Sequence, residues 1–151
     1  MSKTSFRLYI LMRNDLPSMN PGRAMAQAAH AANQFIHEHG KYADVQSWQK
    51  DAKGFGTTIC LSARKNEILR IVKMANWPQV KAGLVYDPTY KYSVDTEVAS
   101  LIPFSSNTAD SLFSDNGLVT LFRKELTCGY LFVDSDSTDK EVLVGALPLH
   151  P

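Results

Sequence analysis

Along residues 21–39, PGRAMAQAAHAANQFIHEH, small and apolar side chains leave one polar stripe, made of Arg23, Gln27, His30 and Gln34. Their spacings of four, three and four residues bring all four within about 60° of one another on a helix. Ala24, Met25, Ala28, Ala29, Ala31, Ala32, Phe35 and Ile36 cover most of the remaining perimeter. The pattern predicts a helix buried on more than one side, with the stripe facing a groove. Asn20 is placed to cap this helix, Pro21 suits its first position and Gly40 ends it after His39.

The same reading extends along the chain. SFRLYILMR (5–13) is rich in branched and aromatic residues and reads as a buried strand. KYADVQSWQKDAK predicts a short helix with Tyr42, Val45 and Trp48 inward, and GFGTTICLSA (54–63) a second strand. RKNEILRIVKMANW (64–77) predicts a helix with Ser62 as cap and Pro78 as stop. Its core side is Ile68, Ile71, Val72 and Ala75, with Lys65, Asn66, Arg70 and Lys73 pointing away. GLVYD (83–87) is a short third strand that ends at Asp87. ELTCGYLFVD (125–134) and EVLVGALPL (141–149), joined by a polar turn, predict a closing C-terminal β-hairpin.

The βαβαβ order followed by a hairpin gives an α/β fold: a mixed β-sheet flanked by helices, with parallel pairing among the early strands. A chain of 151 residues with 44% hydrophobic residues suits a single domain over 1–151. About 35 residues, 88–122, stand between the third strand and the hairpin, too many for an ordinary loop. VASLIPF and DSLFSDNGLVTLF supply enough apolar residues to predict a folded insertion flanking the site.

Net charge is +1, but it is unevenly spread. Residues 1–87 hold 12 Lys and Arg against 6 Asp and Glu, whereas residues 88–151 hold 4 against 9. The first part is therefore the one suited to a polyanion, with Arg70 and Lys73 on an outward helix face as phosphate contacts. No run is long and apolar enough for a membrane span, and the N-terminus lacks a secretory cleavage pattern, so a cytoplasmic protein is expected. Cys60 and Cys128 lie in strand-like runs and read as free thiols.

There is no phosphate-binding GxxxxGK[ST] loop, no GxGxxG and no GxSxG, which removes the usual support for nucleotide hydrolysis, dehydrogenase and α/β-hydrolase chemistry. His37 and His39 face apart on a helix, so no metal site is expected. The stripe is the remaining constellation. Arg23 offers a fixed cation for phosphate or an oxyanion, Gln27 and Gln34 offer amides that orient a substrate, and His30 can exchange a proton near neutral pH. Asp87, read at a strand end, falls where open α/β sheets bind ligands.

Asp15, Leu16, Met19, Gly22, Ala26, Gln27, His30 and Ala31 follow the order of a signature that runs DL, a Met, GK, AAQ and HA. In this the chain resembles the peptidyl-tRNA hydrolase type II family, and Asp87 matches the aspartate of that family's D-A-G-x-T segment. The resemblance implies hydrolysis of the ester joining a peptide to tRNA, without a cofactor and with peptidyl-tRNA as partner. It implies that Asp87 or His30 activates water, that Arg23 contacts phosphate or oxyanion, that Gln27 orients the substrate, and that Thr127 stands for the family's threonine. Two departures accompany it: Arg23 occupies the place of the family's lysine, and Pro88 and Thr89 replace Ala-Gly. The alternative is a non-catalytic tRNA- or protein-binding regulator on the same fold. Oligomeric state stays open, a homodimer included.

Overall fold

A computed structural model of the chain describes residues 4–75, 77–95, 111–115 and 118–151. β1 (Phe6–Arg13) is apolar at odd and even positions alike, and a strand satisfies that pattern only by burial on both faces. Leu8, Ile10 and Met12 enter one core, with Phe35, Val45, Trp48, Tyr130 and Phe132. Tyr9 and Leu11 enter a second core, with Ile68, Ile71, Leu131, Val133 and Leu143. The sheet is thus the middle layer, with α1 (Pro21–His39) and α2 (Ala43–Gln49) over one face. α4 (Lys65–Met74) and α5 (Thr138–Val144) cover the other.

Strand order is β2 (Thr58–Ala63), β1, β5 (Leu118–Asp134), β3 (Lys81–Asp95), with β4 (Ser111–Asp115) paired to β5. β1 and β2 run parallel, with Ile10 opposite Cys60, and the α1–α2 crossover makes that pairing possible. β1 and β5 run antiparallel, with Ile10 opposite Tyr130. The sheet is mixed, as expected. Gly129 on β5 is required by packing, because a Cβ there would come within 2.9 Å of Ile68 on α4.

Two compact units are present, one formed by Met1–Val85 with Thr127–Pro151 and the other by Tyr86–Leu126. In the second, the Tyr90 and Tyr92 rings meet edge to face at 5.2 Å, Tyr92 donates to Glu125, and Tyr90 and Leu121 are buried. Much of the expected insertion is therefore strand: β3 continues to Asp95, and β4 and β5 form a hairpin across it. VASLIPF lies outside the described residues.

Several expectations need correction. The segment expected as the hairpin's last strand, 141–149, is mainly helix α5, because Ser137 caps it through Lys140 N and Asp139 and Glu141 favour its first turn. Only Leu149 keeps strand character, in an isolated antiparallel bridge to Leu61. β3 does not end at Asp87, which is the seventh of its fifteen residues. Pro88 lacks a donor yet is tolerated because β3 is the outer strand of its path. Gly54, Phe55 and Gly56 lie before β2, in a turn where Ala52, Lys53 and both glycines have positive φ; Asp51–Gly54 (α3) is part of it. Tyr42 is the N-cap of α2 and is exposed instead of inward. Ser62 lies within β2, and the α4 cap is Arg64, whose N–H donates to Glu67. Val45, Trp48, Ile68 and Ile71 are buried as expected.

Candidate active site

Helix α1 spans the expected residues, with the Asn20 side chain accepting from Arg23 N at 2.9 Å and Pro21 in its first turn. Its buried line is Ala24, Gln27, Ala31 and Phe35. Met25, Ala26, Ala29, His30, Asn33 and His37 are exposed, so the helix is buried on one side only. The alanine-rich perimeter is uninformative in this respect, since alanine tolerates either environment. At 100° per residue the polar stripe is centred about 90° from Ala24, Ala31 and Phe35. It follows the rim of the buried face.

That position divides the stripe's members. Gln27 is only 4% exposed, and its Oε1 accepts from the Thr127 hydroxyl on β5 at 2.7 Å. The same hydroxyl lies 3.4 Å from the Val85 carbonyl on β3. Gln34 Nε2 donates to the Leu84 carbonyl at 2.9 Å. Both glutamines therefore fasten α1 to the sheet. Gln27 faces the sheet and not a groove, because a partner some hundred residues away satisfies its amide. Cys128, beside Thr127, donates through Sγ to the Gln27 carbonyl at 3.6 Å, and burial pushes its thiol up to about 12. It is a packed, unreactive thiol. Cys60 is half-buried on β2, and burial raises its pKa as well.

Arg23 and His30 stand differently. Arg23 is half-buried, and its guanidinium donates to the Ser18 carbonyl at 2.9 Å, tying α1 to the loop before it. His30 presents an exposed imidazole on the outer side of the rim. Asp87, in the second unit, accepts from Thr89 N at 2.9 Å through Oδ1. Arg70 and Lys73 are exposed on α4 as expected, with Arg70 Nη1 3.8 Å from Met74 Sδ.

The sequence reading gave no role to the pair Arg13 and Asp15. Arg13 is 7% exposed and donates through Nε to Asp15 Oδ1 at 2.7 Å, while Asp15 Oδ2 accepts from Lys65 N at 3.2 Å. Asp15 thereby joins the end of β1 to the start of α4. Partial burial raises its pKa, but the Arg13 and Lys65 hydrogen bonds outweigh it and leave the carboxyl below its ordinary value. The RND run at a strand end was the available signal. Leu16 is buried, and its carbonyl accepts from Met19 N at 3.0 Å, so the loop's D-L and Met positions are structural supports for the start of α1.

The sequence model of the family described as Peptidyl-tRNA hydrolase PTH2 matches residues 6–115. The chain belongs to that family. The PTH2 match spans β1 to β4 and includes the whole of α1 with its rim. Asp87 lies inside the PTH2 match and Thr127 beyond it. No curated protein matches the chain. Among solved structures, a protein of unknown function from Agrobacterium tumefaciens is 11% identical over 97% of this chain and 98% of its own, with a TM-score of 0.48. That likeness is too weak to carry an argument. No described helix of this PTH2 member is long and apolar enough to cross a membrane.

Proposed function

We propose that this PTH2 member hydrolyses the ester between a peptide and the 3′ end of tRNA, releasing a peptide carboxylate and a tRNA hydroxyl. The observation that supports this reading is the family match over residues 6–115, which contains the Gly22, Arg23, Gln27 and His30 pattern. Ester hydrolysis needs an activated water, a stabiliser for the oxyanion and a fixed substrate frame. In this proposal Asp87 or His30 accepts the water's proton, and Arg23 stabilises the phosphate or oxyanion as a permanent cation. Gln27, Gln34 and Thr127 act by holding α1 in register with the sheet. The reaction is proposed to need no cofactor and to take place in the cytoplasm.

A second reading, a non-catalytic tRNA- or protein-binding regulator, draws on two observations. Arg23 cannot serve as a neutral amine where the resembled family has lysine, and Asp87 Oδ1 is already bonded to Thr89 N. Incubation with labelled peptidyl-tRNA, beside aminoacyl-tRNA, separates the readings. Turnover of the peptidyl substrate is expected, and Asp87→Asn and His30→Ala should each lower it about 10²- to 10⁴-fold with unchanged melting. Binding without turnover supports the regulator. Full turnover in both variants removes the site assignment.

Arg70 and Lys73 are proposed as phosphate contacts on the exposed face of α4. Reversing both to Glu should weaken tRNA binding and flatten its salt dependence, while Ile68 and Ile71 keep the helix packed. Salt-independent binding in the parent protein points instead to a protein partner.

A further inference from the structure

The chain between α2 and β2 holds an aromatic ring out in solvent, and it does so with a strained backbone. Phe55 is 83% exposed, more than any other large apolar residue described. It sits in a turn where Ala52 has φ 51° and Lys53 φ 62°, in the left-handed region that residues with a Cβ avoid, beside Gly54 at 96° and Gly56 at 71°. The turn is fixed from below. The Trp48 ring lies under Gly56, where a Cβ would come within 2.5 Å of it, and Trp48 Nε1 donates to the Thr57 carbonyl at 2.8 Å. The Gly56 N–H donates to the Asp51 carbonyl at 3.0 Å and closes the turn. Backbone strain that the surrounding structure enforces collects at places that bind, and its result here is a presented ring.

The surroundings say what the ring meets. Lys50 and Lys53 flank it in sequence, both exposed, and neither has a side-chain partner among the described residues. Beside the turn, where β1 and β2 begin, lies a cavity of about 330 Å³ lined by Arg7, Asp51, Ala52, Lys53 and Thr57. Arg7 Nη1 donates to the Thr4 and Phe6 carbonyls at 2.8 Å, which fixes its guanidinium in that wall. Two cations with one carboxylate and a threonine suit a sugar-phosphate unit, which brings hydroxyls as well as charge, and a flat apolar ring suits a base. On the reading that tRNA is the substrate, we propose that this turn is an RNA-binding point, where an unpaired base stacks on Phe55 and Lys50 and Lys53 meet the adjoining phosphates. The turn lies at the opposite strand ends from the loop that holds Arg23, so it grips RNA away from the ester.

The test is anisotropy of a short labelled oligouridylate titrated with the full chain, beside sedimentation with vesicles of phosphatidylserine and phosphatidylcholine. The oligouridylate should bind and the vesicles should not. Phe55→Ala should weaken RNA binding about fivefold or more, and Phe55→Leu nearly as much, since leucine keeps the apolar surface but loses the π-face. Lys53→Glu should weaken it as well. Phe55→Trp should keep the affinity and add fluorescence quenching by RNA beyond that of the parent, whose Trp48 is buried. Both substituted positions are exposed, so thermal melts should match the parent. Because the probe carries no ester, it reads binding apart from hydrolysis: these losses without turnover of peptidyl-tRNA strike the proposed activity and uphold the turn, whereas turnover with Phe55→Ala and Lys53→Glu both binding as the parent does the reverse. The proposal is also overturned if the oligouridylate does not bind at micromolar concentration, if Phe55→Leu binds as the parent does, or if the vesicles bind in its place.

Discussion

The two halves of α1 are attached to the same sheet by different chemistry. Toward its C-terminus the helix is held by rings: Phe35 lies 5.0 Å from Phe132, 5.4 Å from Tyr130 and 5.7 Å from Trp48. Toward its N-terminus it presents Ala24, Ala28 and Ala31, and the specific attachments are hydrogen bonds, from Thr127 on the sheet to Gln27 and from Arg23 to Ser18 in the preceding loop. Aromatic packing supplies most of the hold there, with Gln34 bonded to the Leu84 carbonyl and Glu38 and His39 to the Tyr130 hydroxyl beside it. Alanine packing brings the backbone close to the sheet and leaves the hydrogen-bonding residues to set orientation. One helix thus has a half that anchors and a half that orients, and the second carries the candidate chemistry.

The largest effect should come from the anchoring half. Phe35→Ala removes a fully buried ring from the core and should cost about 3–5 kcal/mol, by the lost transfer and the cavity left behind. Urea denaturation measures it. A loss below about 1 kcal/mol means that Trp48, Tyr130 and Phe132 close the gap and that the anchor is not where the rings place it.

Next is the orienting half. Thr127→Val keeps the shape but removes the donor to Gln27, leaving a buried amide oxygen short of a partner, at about 1–3 kcal/mol. Adding Gln27→Leu should restore part of that loss, since removing both partners costs less than removing one. If the double variant loses the sum of the two single losses, the bond does not couple α1 to β5. Should activity fall further than stability in Thr127→Val, the bond positions the rim as well as holding it.

This division also governs what was legible beforehand. The ends of α1 were readable because Asn20, Pro21 and Gly40 are local signals whose physics needs no partner. Both cores were readable because β1 is apolar on two faces. The inward turn of Gln27 was not, since it depends on Thr127, far away in the chain. EVLVGALPL looked like a strand because its branched residues outweighed the Ser137 cap and acidic first turn that make it helix. The length of β3 was hidden by Pro88, which breaks inner strands but is accepted on an outer one. Of the site, the stripe's residues and spacing were visible, whereas the loop contacts of Arg13, Asp15 and Ser18 were not, because they join three separate elements.

The smallest expected effect tests whether the anchoring half responds to pH. Tyr130 donates its hydroxyl proton to Glu38, so the contact between His39 Nε2 and that oxygen, at 3.0 Å, is one in which the imidazole donates. Burial, together with the Glu38 bond and charge, raises the Tyr130 pKa well above its ordinary value, so the phenol keeps its proton. Burial lowers the pKa of His39, opposed by Glu38 and Asp44 and assisted by Lys81, which is itself paired with Asp44 at 2.7 Å. The folded value lies below the ordinary imidazole value of 6.5, so just under that pH the unfolded chain binds more protons than the folded one. Stability should therefore rise with pH across this window and be lost as pH falls through it. With the ring partly exposed, the slope should be shallow. Melting curves from neutral pH down to about 5 should show it in the parent and lose it in His39→Asn, whatever the overall change in stability. Tyr130→Phe separates the causes: the slope should persist, because burial is the leading one, and its disappearance would assign the shift to the hydroxyl instead. An unchanged slope in His39→Asn would remove His39 from the account altogether.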